Sequence, residues 1–302
     1  MSVSVEPRPA QLPLPGGVEG ATVRLHPLLC GEILTPPGVL ERPSGPARTL
    51  RGLGFASRSR SDWPWVPIPA FLVEHPGAGA IVVDTGLHPS VAIDPSQSFG
   101  KVAGRLYRFR YEASQAVPAQ LRARGVQPAE VRVVVMTHLH TDHASGVSEF
   151  PDATFVVDGR EWAAATGSRG MLRGYRTAQF DHGFDWRTLD YSAGHVDSFA
   201  SFGASLDLFG DGSVRLVATP GHTAGHQSLV LRLRGREALL CGDAAYTRRA
   251  IDEDVTPLLM DDEHRWRRSL GEVRRFVQRT PGLVVIPGHD PDTWPALDGV
   301  YE

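Results

Sequence analysis

The chain has no asparagine, a single lysine (Lys101) and only two cysteines, Cys30 and Cys241, in 302 residues. Two cysteines cannot build a disulfide framework, and their scarcity fits a reducing compartment, so a cytoplasmic location is expected. The shortage of lysine and asparagine points to a GC-rich, bacterial coding sequence and excludes no function. No apolar run approaches the roughly 18 residues that span a bilayer. Residues 1–17 are rich in proline and lack the basic-then-apolar order of a secretory leader. An excess of one charge is also missing, since 31 Lys and Arg against 34 Asp and Glu leave a net charge of −3. That balance supplies neither a nucleic-acid footprint nor an anionic-membrane surface, so neither partner is expected. A hydrophobic fraction of 41% over this length can bury a sizeable core in water.

Apolar periodicity divides the rest of the chain. Residues 1 to about 20 read as an arm with little structure, followed over 21–302 by one domain of mixed strands and helices, without an internal repeat. Strands are expected at Val23–Leu34, Ile68–Glu74, Ala80–Asp84, Val131–Met136 and Thr154–Val157. Further strands are expected at Val214–Thr219, Ser228–Leu233, Ala238–Cys241 and Leu283–Ile286. Helices are expected at Pro118–Arg124, Arg160–Ala165 and Asp262–Arg279, the last with Trp266, Leu270, Val273, Phe276 and Val277 at helical spacing. Its basic run Arg265–Arg268 reads as a solvated face. The segment Thr166–Ser213 reads as an irregular, substrate-facing insertion.

The chemistry gathers at strand ends. Thr137-His138-Leu139-His140-Thr141-Asp142-His143 follows the apolar run Val131–Met136. A helix cannot turn positions i, i+2, i+4 and i+5 to one face, but a strand end opening into a loop can. His222, Asp243 and His289 each follow another apolar run, beside a glycine that lets the chain turn. Five histidines and two aspartates suffice for two cations sharing one water, the arrangement of a metal-dependent hydrolase. A lone histidine at a strand end is more often structural; seven such residues, each at a turn, are not explained that way. His26, His75, His88, His182, His195 and His264 have no motif and read as surface or packing residues. Cys241, ending an apolar strand, reads as a buried and inert thiol.

The order His-x-His-x-Asp-His, then His222, Asp243 and His289, resembles the metallo-β-lactamase superfamily over residues 68–290. Within it, Thr219-Pro-Gly-His-Thr-Ala-Gly-His-Gln-Ser-Leu229 and Gly242-Asp-Ala-Ala-Tyr246 are similar to the N-acyl-homoserine lactonases, as is Phe71-Leu-Val-Glu-His-Pro76 leading to Ile81-Val-Val-Asp-Thr-Gly86. The resemblance implies an α/β, four-layer αββα fold, two mixed sheets flanked by helices. It implies one metal on His138, His140 and His222, a second on Asp142, His143 and His289, and Asp243 bridging both. Asp142, Asp243 and Tyr246 are the residues expected to take part in catalysis, Tyr246 as a contact to the lactone. Asp84 is expected to accept from a ligand imidazole and His226 to hold the loop after His222.

Two divalent ions are therefore expected, zinc first, with manganese, iron or cobalt open because imidazole and carboxylate choose weakly among them. A bridging hydroxide would open the ring of an N-acyl-homoserine lactone or a similar lactone. Asp243 argues against antibiotic hydrolysis, where that position usually carries Cys or Ser. A glyoxalase-II-like thioesterase, another esterase or a phosphotriesterase shares the ligands and stays open. A mononuclear iron persulfide dioxygenase and a degenerate binding protein fit less well. Phe99, Tyr107, Phe109, Met171 and Phe184 are the candidates for an acyl-chain pocket. Oligomeric state is open, with a homodimer allowed.

Overall fold

A computed structural model describes residues 4–45, 48–54, 60–194 and 196–302; His195 lies outside these. In chain order the strands are β1 (Arg8–Pro9), β2 (Arg24–Leu34), β3 (Trp65–His75), β4 (Gly79–Val83) and β5 (Phe109–Arg110). Next come β6 (Val131–Val135), β7 (Thr154–Asp158), β8 (Asp185–Leu189), β9 (Asp197–Phe199) and β10 (Phe202–Asp207). The last four are β11 (Val214–Ala218), β12 (Gln227–Arg232), β13 (Glu237–Gly242) and β14 (Val284–Pro287). They form two mixed sheets, one of eight strands in the order β1-β8-β7-β6-β4-β3-β2-β5 and one of six in the order β14-β13-β12-β11-β10-β9.

Apolar runs with no polar face become strands covered on both sides. Ile81 and Val83 of β4, Val133 and Val135 of β6, and Leu229 and Leu231 of β12 turn into the layer between the sheets. Their neighbours Val82 and Val134 pack outward on Val117, Leu121 and Trp162, from the helices Val117–Ala123 and Gly159–Thr166. On the far side Val230, Leu239 and Cys241 meet Trp266, Leu270, Val273 and Phe276 of the helix Glu263–Arg279. Four layers result. Leu240 is buried in the middle layer, so Leu240→Ala would cost about 2–5 kcal/mol through lost burial and the cavity left behind.

The expected strands and helices stand within a few residues of their predicted bounds, with two differences. The N-terminal arm is tied down: Arg8–Pro9 pair in parallel with Arg187–Thr188. Leu14 is buried in the middle layer, and its N–H donates to the Leu208 carbonyl at 2.8 Å. Proline-rich sequence hid this, because an edge strand needs few donors and tolerates proline. The segment Thr166–Ser213 is not all irregular either, since it supplies β8, β9 and β10. The alternation that marks β10 is blurred by small residues, with Ser205 buried beside Phe202 and Leu206. Among the described residues no helix is long and apolar enough to cross a membrane.

The sheets also set the site. The C-terminal ends of β4, β6, β11, β13 and β14 each deliver a loop to one edge, where the two sheets face each other.

Candidate metal centre

The His-rich stretch starts from a fixed point. Asp84, directly after β4 and in the left-handed region at φ 55°, is a residue type whose short polar side chain tolerates that conformation. Its Oδ1 accepts from the Thr137 N–H at 2.7 Å, and its Oδ2 accepts from the Thr137 hydroxyl at 2.7 Å and from His143 Nδ1 at 2.8 Å. The stretch is not wholly loop: Thr141–Ala144 wind into one helical turn that sets Asp142 and His143 side by side. Across the edge, the start of the long helix braces the His222 loop. The N–H groups of Asp261 and Asp262 donate to the carbonyls of His222 and Gly221 at 3.0 and 2.9 Å. At the end of β13, Gly242 takes φ 51°, and a Cβ there would lie 2.7 Å from His226 Nε2. Only glycine leaves room for His226 to accept from the Asp243 N–H at 2.9 Å.

Seven side chains converge in two groups, His138, His140, His222 and Asp243 in one, and Asp142, His143 and His289 in the other, each with donor atoms within 4.8 Å of one another. Asp243 faces both. Its Oδ2 is 3.2 Å from His222 Nε2 and 3.7 Å from His138 Nε2. Its Oδ1 is 3.2 Å from His289 Nε2 and 3.5 Å from His143 Nε2. The far nitrogen of every imidazole is anchored, which fixes ring orientation and tautomer. His138 Nδ1 donates to the Thr137 hydroxyl at 3.0 Å, His140 Nε2 to the Arg173 carbonyl at 2.8 Å, and His289 Nδ1 to the Pro67 carbonyl at 2.8 Å. His143 Nδ1 donates to Asp84, and His222 Nδ1 sits 3.0 Å from the Tyr246 hydroxyl.

The remaining lone pairs point inward, and two buried atoms of the cluster, His143 Nε2 and Asp243 Oδ1, have no hydrogen-bond partner. Leaving such groups unpaired costs roughly 1–3 kcal/mol each, more where charged. Cations between them remove that cost, and an N/O donor set of this kind suits zinc or a similar divalent ion. Burial, reinforced by the neighbouring His143 and His140, holds His138 well below the usual imidazole range. Burial also lowers His222, against the pull of Asp243. Burial acts the same way on His143, but Asp84, Asp243 and Asp142 outweigh it and raise that ring to about 10. Asp243 is held well below its ordinary value, since His289, His222 and His143 together overcome its burial.

The sequence profile of the metallo-beta-lactamase superfamily matches residues 63–289. The chain belongs to that superfamily. Among curated relatives, N-acyl homoserine lactonase AttM of Azorhizobium caulinodans is 37% identical over 235 residues, 77% of this chain and 85% of that protein. AttM of Rhizobium radiobacter is 36% identical, over 76% of this chain and 84% of that protein. The fold is that of a solved mutant of B. thuringiensis AiiA with N-decanoyl-L-homoserine at its active site (TM-score 0.73, 20% identity, 92% of this chain and 97% of that one).

Inside this metallo-β-lactamase framework the structure brings all seven expected donors together, and Tyr246 with them. Tyr246 is buried, and its ring lies 5.5 Å from that of His222 and 5.6 Å from that of His289. His226 takes the bracing role expected of it, between the Thr219 hydroxyl at 2.9 Å and the Asp243 N–H. Cys241 is buried, and burial pushes its thiol up to about 12, as an inert residue should be. His75 is a fully buried packing residue, accepting from the N–H groups of Gly77 and Ala78 at 3.0 and 2.9 Å.

The pocket candidates divide. Phe99, Tyr107 and Phe109 form an aromatic trio with ring centroids 4.9–6.3 Å apart. Tyr107 stands close enough to Asp142 for that carboxylate to add to burial in raising its hydroxyl. Met171 is almost fully exposed. Phe184 does not belong to this set; it stacks on Phe155 at 5.9 Å and packs against the outer core. A cavity of about 810 Å³ is lined by Thr247, Arg248, Asp290 and Pro291, the residues just past Tyr246 and His289, but by none of the seven donors.

Three groups that serve the site were not foreseen: Thr137, Glu161 and Asp290. Asp290 accepts from the Arg248 N–H at 2.7 Å and so joins the loops carrying Tyr246 and His289. Only adjacency to the motif residues could have flagged Thr137 and Asp290. Glu161 carried no flag beyond an acid in the first turn of a helix.

Proposed function

We propose that this chain is a dinuclear metal-dependent hydrolase that opens the lactone ring of N-acyl homoserine lactones or close analogues. The observation that carries the reading is the pair of histidine groups sharing one carboxylate, with a buried tyrosine hydroxyl hydrogen-bonded to one of them. The curated relatives named as lactonases support the substrate class. His138, His140 and His222 would hold one cation, Asp142, His143 and His289 the other, and Asp243 both, with zinc the first choice of metal. Bound there, the cation pair supplies a water acidic enough to attack near neutral pH and polarises the ester carbonyl.

The chain's own residues do the rest. His222 Nε2 faces the cluster, so its proton sits on Nδ1 and is donated to the Tyr246 oxygen. The tyrosine then keeps its own O–H for another acceptor. Burial, with Asp243 and Asp142 nearby, raises that hydroxyl well above its ordinary value, so it stays protonated. It is thereby suited to donate to the oxygen on which negative charge develops as the ring C–O bond breaks. Asp243, kept ionised by its histidine neighbours, keeps one oxygen toward each group, and a water would return the proton to the leaving alkoxide. The half-exposed Tyr107 and its aromatic partners would receive the acyl chain at the mouth.

Elemental analysis of purified protein combined with a substrate panel tests this. The panel spans N-acyl homoserine lactones, simple γ- and δ-lactones, S-lactoylglutathione and a phosphotriester. Two cations per chain with the highest kcat/KM on a lactone are expected. A preference for the thioester would move the enzyme to the glyoxalase-II type, and one iron per chain with oxygen consumption would move it to the dioxygenases.

A further inference from the structure

Glu161 lies in the first turn of the helix Gly159–Thr166 and is completely buried. Its Oε1 accepts from the Leu139 N–H at 3.0 Å, and its Oε2 accepts from the Gly225 N–H at 3.1 Å. Leu139 is the residue between His138 and His140. Gly225 comes three residues after His222 and directly before His226, which in turn receives the Asp243 N–H. Every donor of the first group therefore lies one short step from a backbone amide that this single carboxylate holds, or from the histidine beside one.

The approach is close by construction. A Cβ on Gly225 would fall 2.7 Å from Glu161 Cβ and 2.8 Å from its Cα, so any larger residue would push the His222 loop away from the helix. The hydroxyls of Thr223 and Tyr175 lie beside the same carboxyl, and neither completes a hydrogen bond. Tyr175 also packs its ring on His140, with centroids 5.0 Å apart. Full burial of a carboxyl is expensive unless hydrogen-bond donors meet it, as the two amides do here. A leucine in this position would leave both amides buried and without an acceptor. It could not join two loops through their amides.

We propose that Glu161 is a positioning residue for the first cation, setting the separation between the His138–His140 loop and the His222 loop through two backbone amides. The inference rests on the metal-centre reading above. It goes beyond that reading by predicting that one side chain outside the ligand set controls one group and spares the other. In Glu161→Gln, one oxygen can still accept, but the amide NH2 turns toward the second N–H and opposes it. The loops then separate without a large change in volume.

The test loads wild type, Glu161→Gln and Gly225→Ala with cobalt(II). It reads the cation count, the release of each ion to a competing chelator, the visible ligand-field spectrum and the thermal midpoint. Wild type is expected to hold two ions. Both variants are expected to release one of them roughly 10–100-fold more readily, the range for loss of a partner that orients a ligand. The spectral change should belong to that ion alone. Variants that keep both ions as wild type does, with only the thermal midpoint lowered, would overturn the proposal and leave Glu161 a folding residue. Equal weakening of both ions would also overturn it. A wild-type protein that binds no cobalt would instead defeat the metal-centre reading itself, and the role of Glu161 with it.

Discussion

The two histidine groups stand a few ångströms apart and are held by different means. His138, His140 and His222 come from two loops far apart in sequence, and their outer nitrogens meet neutral partners: the Thr137 hydroxyl, the Arg173 carbonyl and the Tyr246 hydroxyl. Asp142 and His143 are chain neighbours on one helical turn, and His143 is backed directly by the Asp84 carboxylate. The first group depends on holding loops at the right separation. The second depends on charge, since Asp142 and Asp84 face its imidazoles directly, while the first has its share of Asp243 and only the amide-bound Glu161 behind its loops. A metal site can thus be built by braced geometry or by electrostatics, and here each half leans on one of them.

The largest effect should come from the residue common to both halves. Asp243→Ala removes both inward-facing oxygens, so defective loading of both cations and negligible activity are expected. Elemental analysis that still finds two ions per chain would break the claim that the groups share a bridge. Next comes Tyr246→Phe, which removes only the hydroxyl that meets the first group at His222. It should keep both ions and lose roughly 10-fold to 1000-fold in turnover on lactones, the range for one oxyanion donor or less. Unchanged kinetics would remove Tyr246 from the reaction.

The donors were legible in the sequence because each follows a buried apolar run, and a strand that must end has to place its next polar residue somewhere. Asp84 was legible for the same reason. Glu161 was not, because an acid in the first turn of a helix is ordinary on dipole grounds alone; its role appears only when Leu139 and Gly225 are brought to it. Thr137 sat inside the motif but was hidden by its neighbours, since nothing in a sequence says which hydroxyl relays between an aspartate and a histidine. The N-terminal arm and β10 escaped because proline and small residues blur the two-residue alternation on which strand recognition depends.

Asp84→Asn sharpens the contrast at the second group. The Asn oxygen can still accept from the Thr137 N–H, but its NH2 then meets His143 Nδ1–H, two donors face to face. The simplest relief is for His143 to move its proton to Nε2, the nitrogen that faces the second cation, which removes a ligand lone pair. A loss of roughly 10–100-fold in affinity is expected for the second ion, with a smaller effect on the first through Thr137 and His138. Chelator competition reads this directly, and a variant weaker only at the first ion would reverse the assignment of charge to the second group.

The smallest effect tests whether both groups hang on a frame that stands without them. Asp185 is partly buried, but hydrogen bonds from Arg187, Arg8 and Thr154 outweigh that burial and hold it at about 2. Asp211 is likewise held at about 2, by Ser213, Val18 and His75 against its burial. Both values lie below the ordinary 3.8. The stability these carboxylates contribute is therefore present above pH 3.8 and is lost as the pH falls toward 2. Imidazole ligands must be neutral to hold a cation, so protons compete with the ions as the pH falls. Acidification followed by circular dichroism and by metal release should accordingly give two steps, the ions leaving first and the fold failing only below about pH 4. Asp211→Asn should flatten the second step and leave the first where it was. A single coincident step would mean that the sheets need their cations to stand, and the distinction between a braced half and a charged half would then dissolve into one cooperative unit.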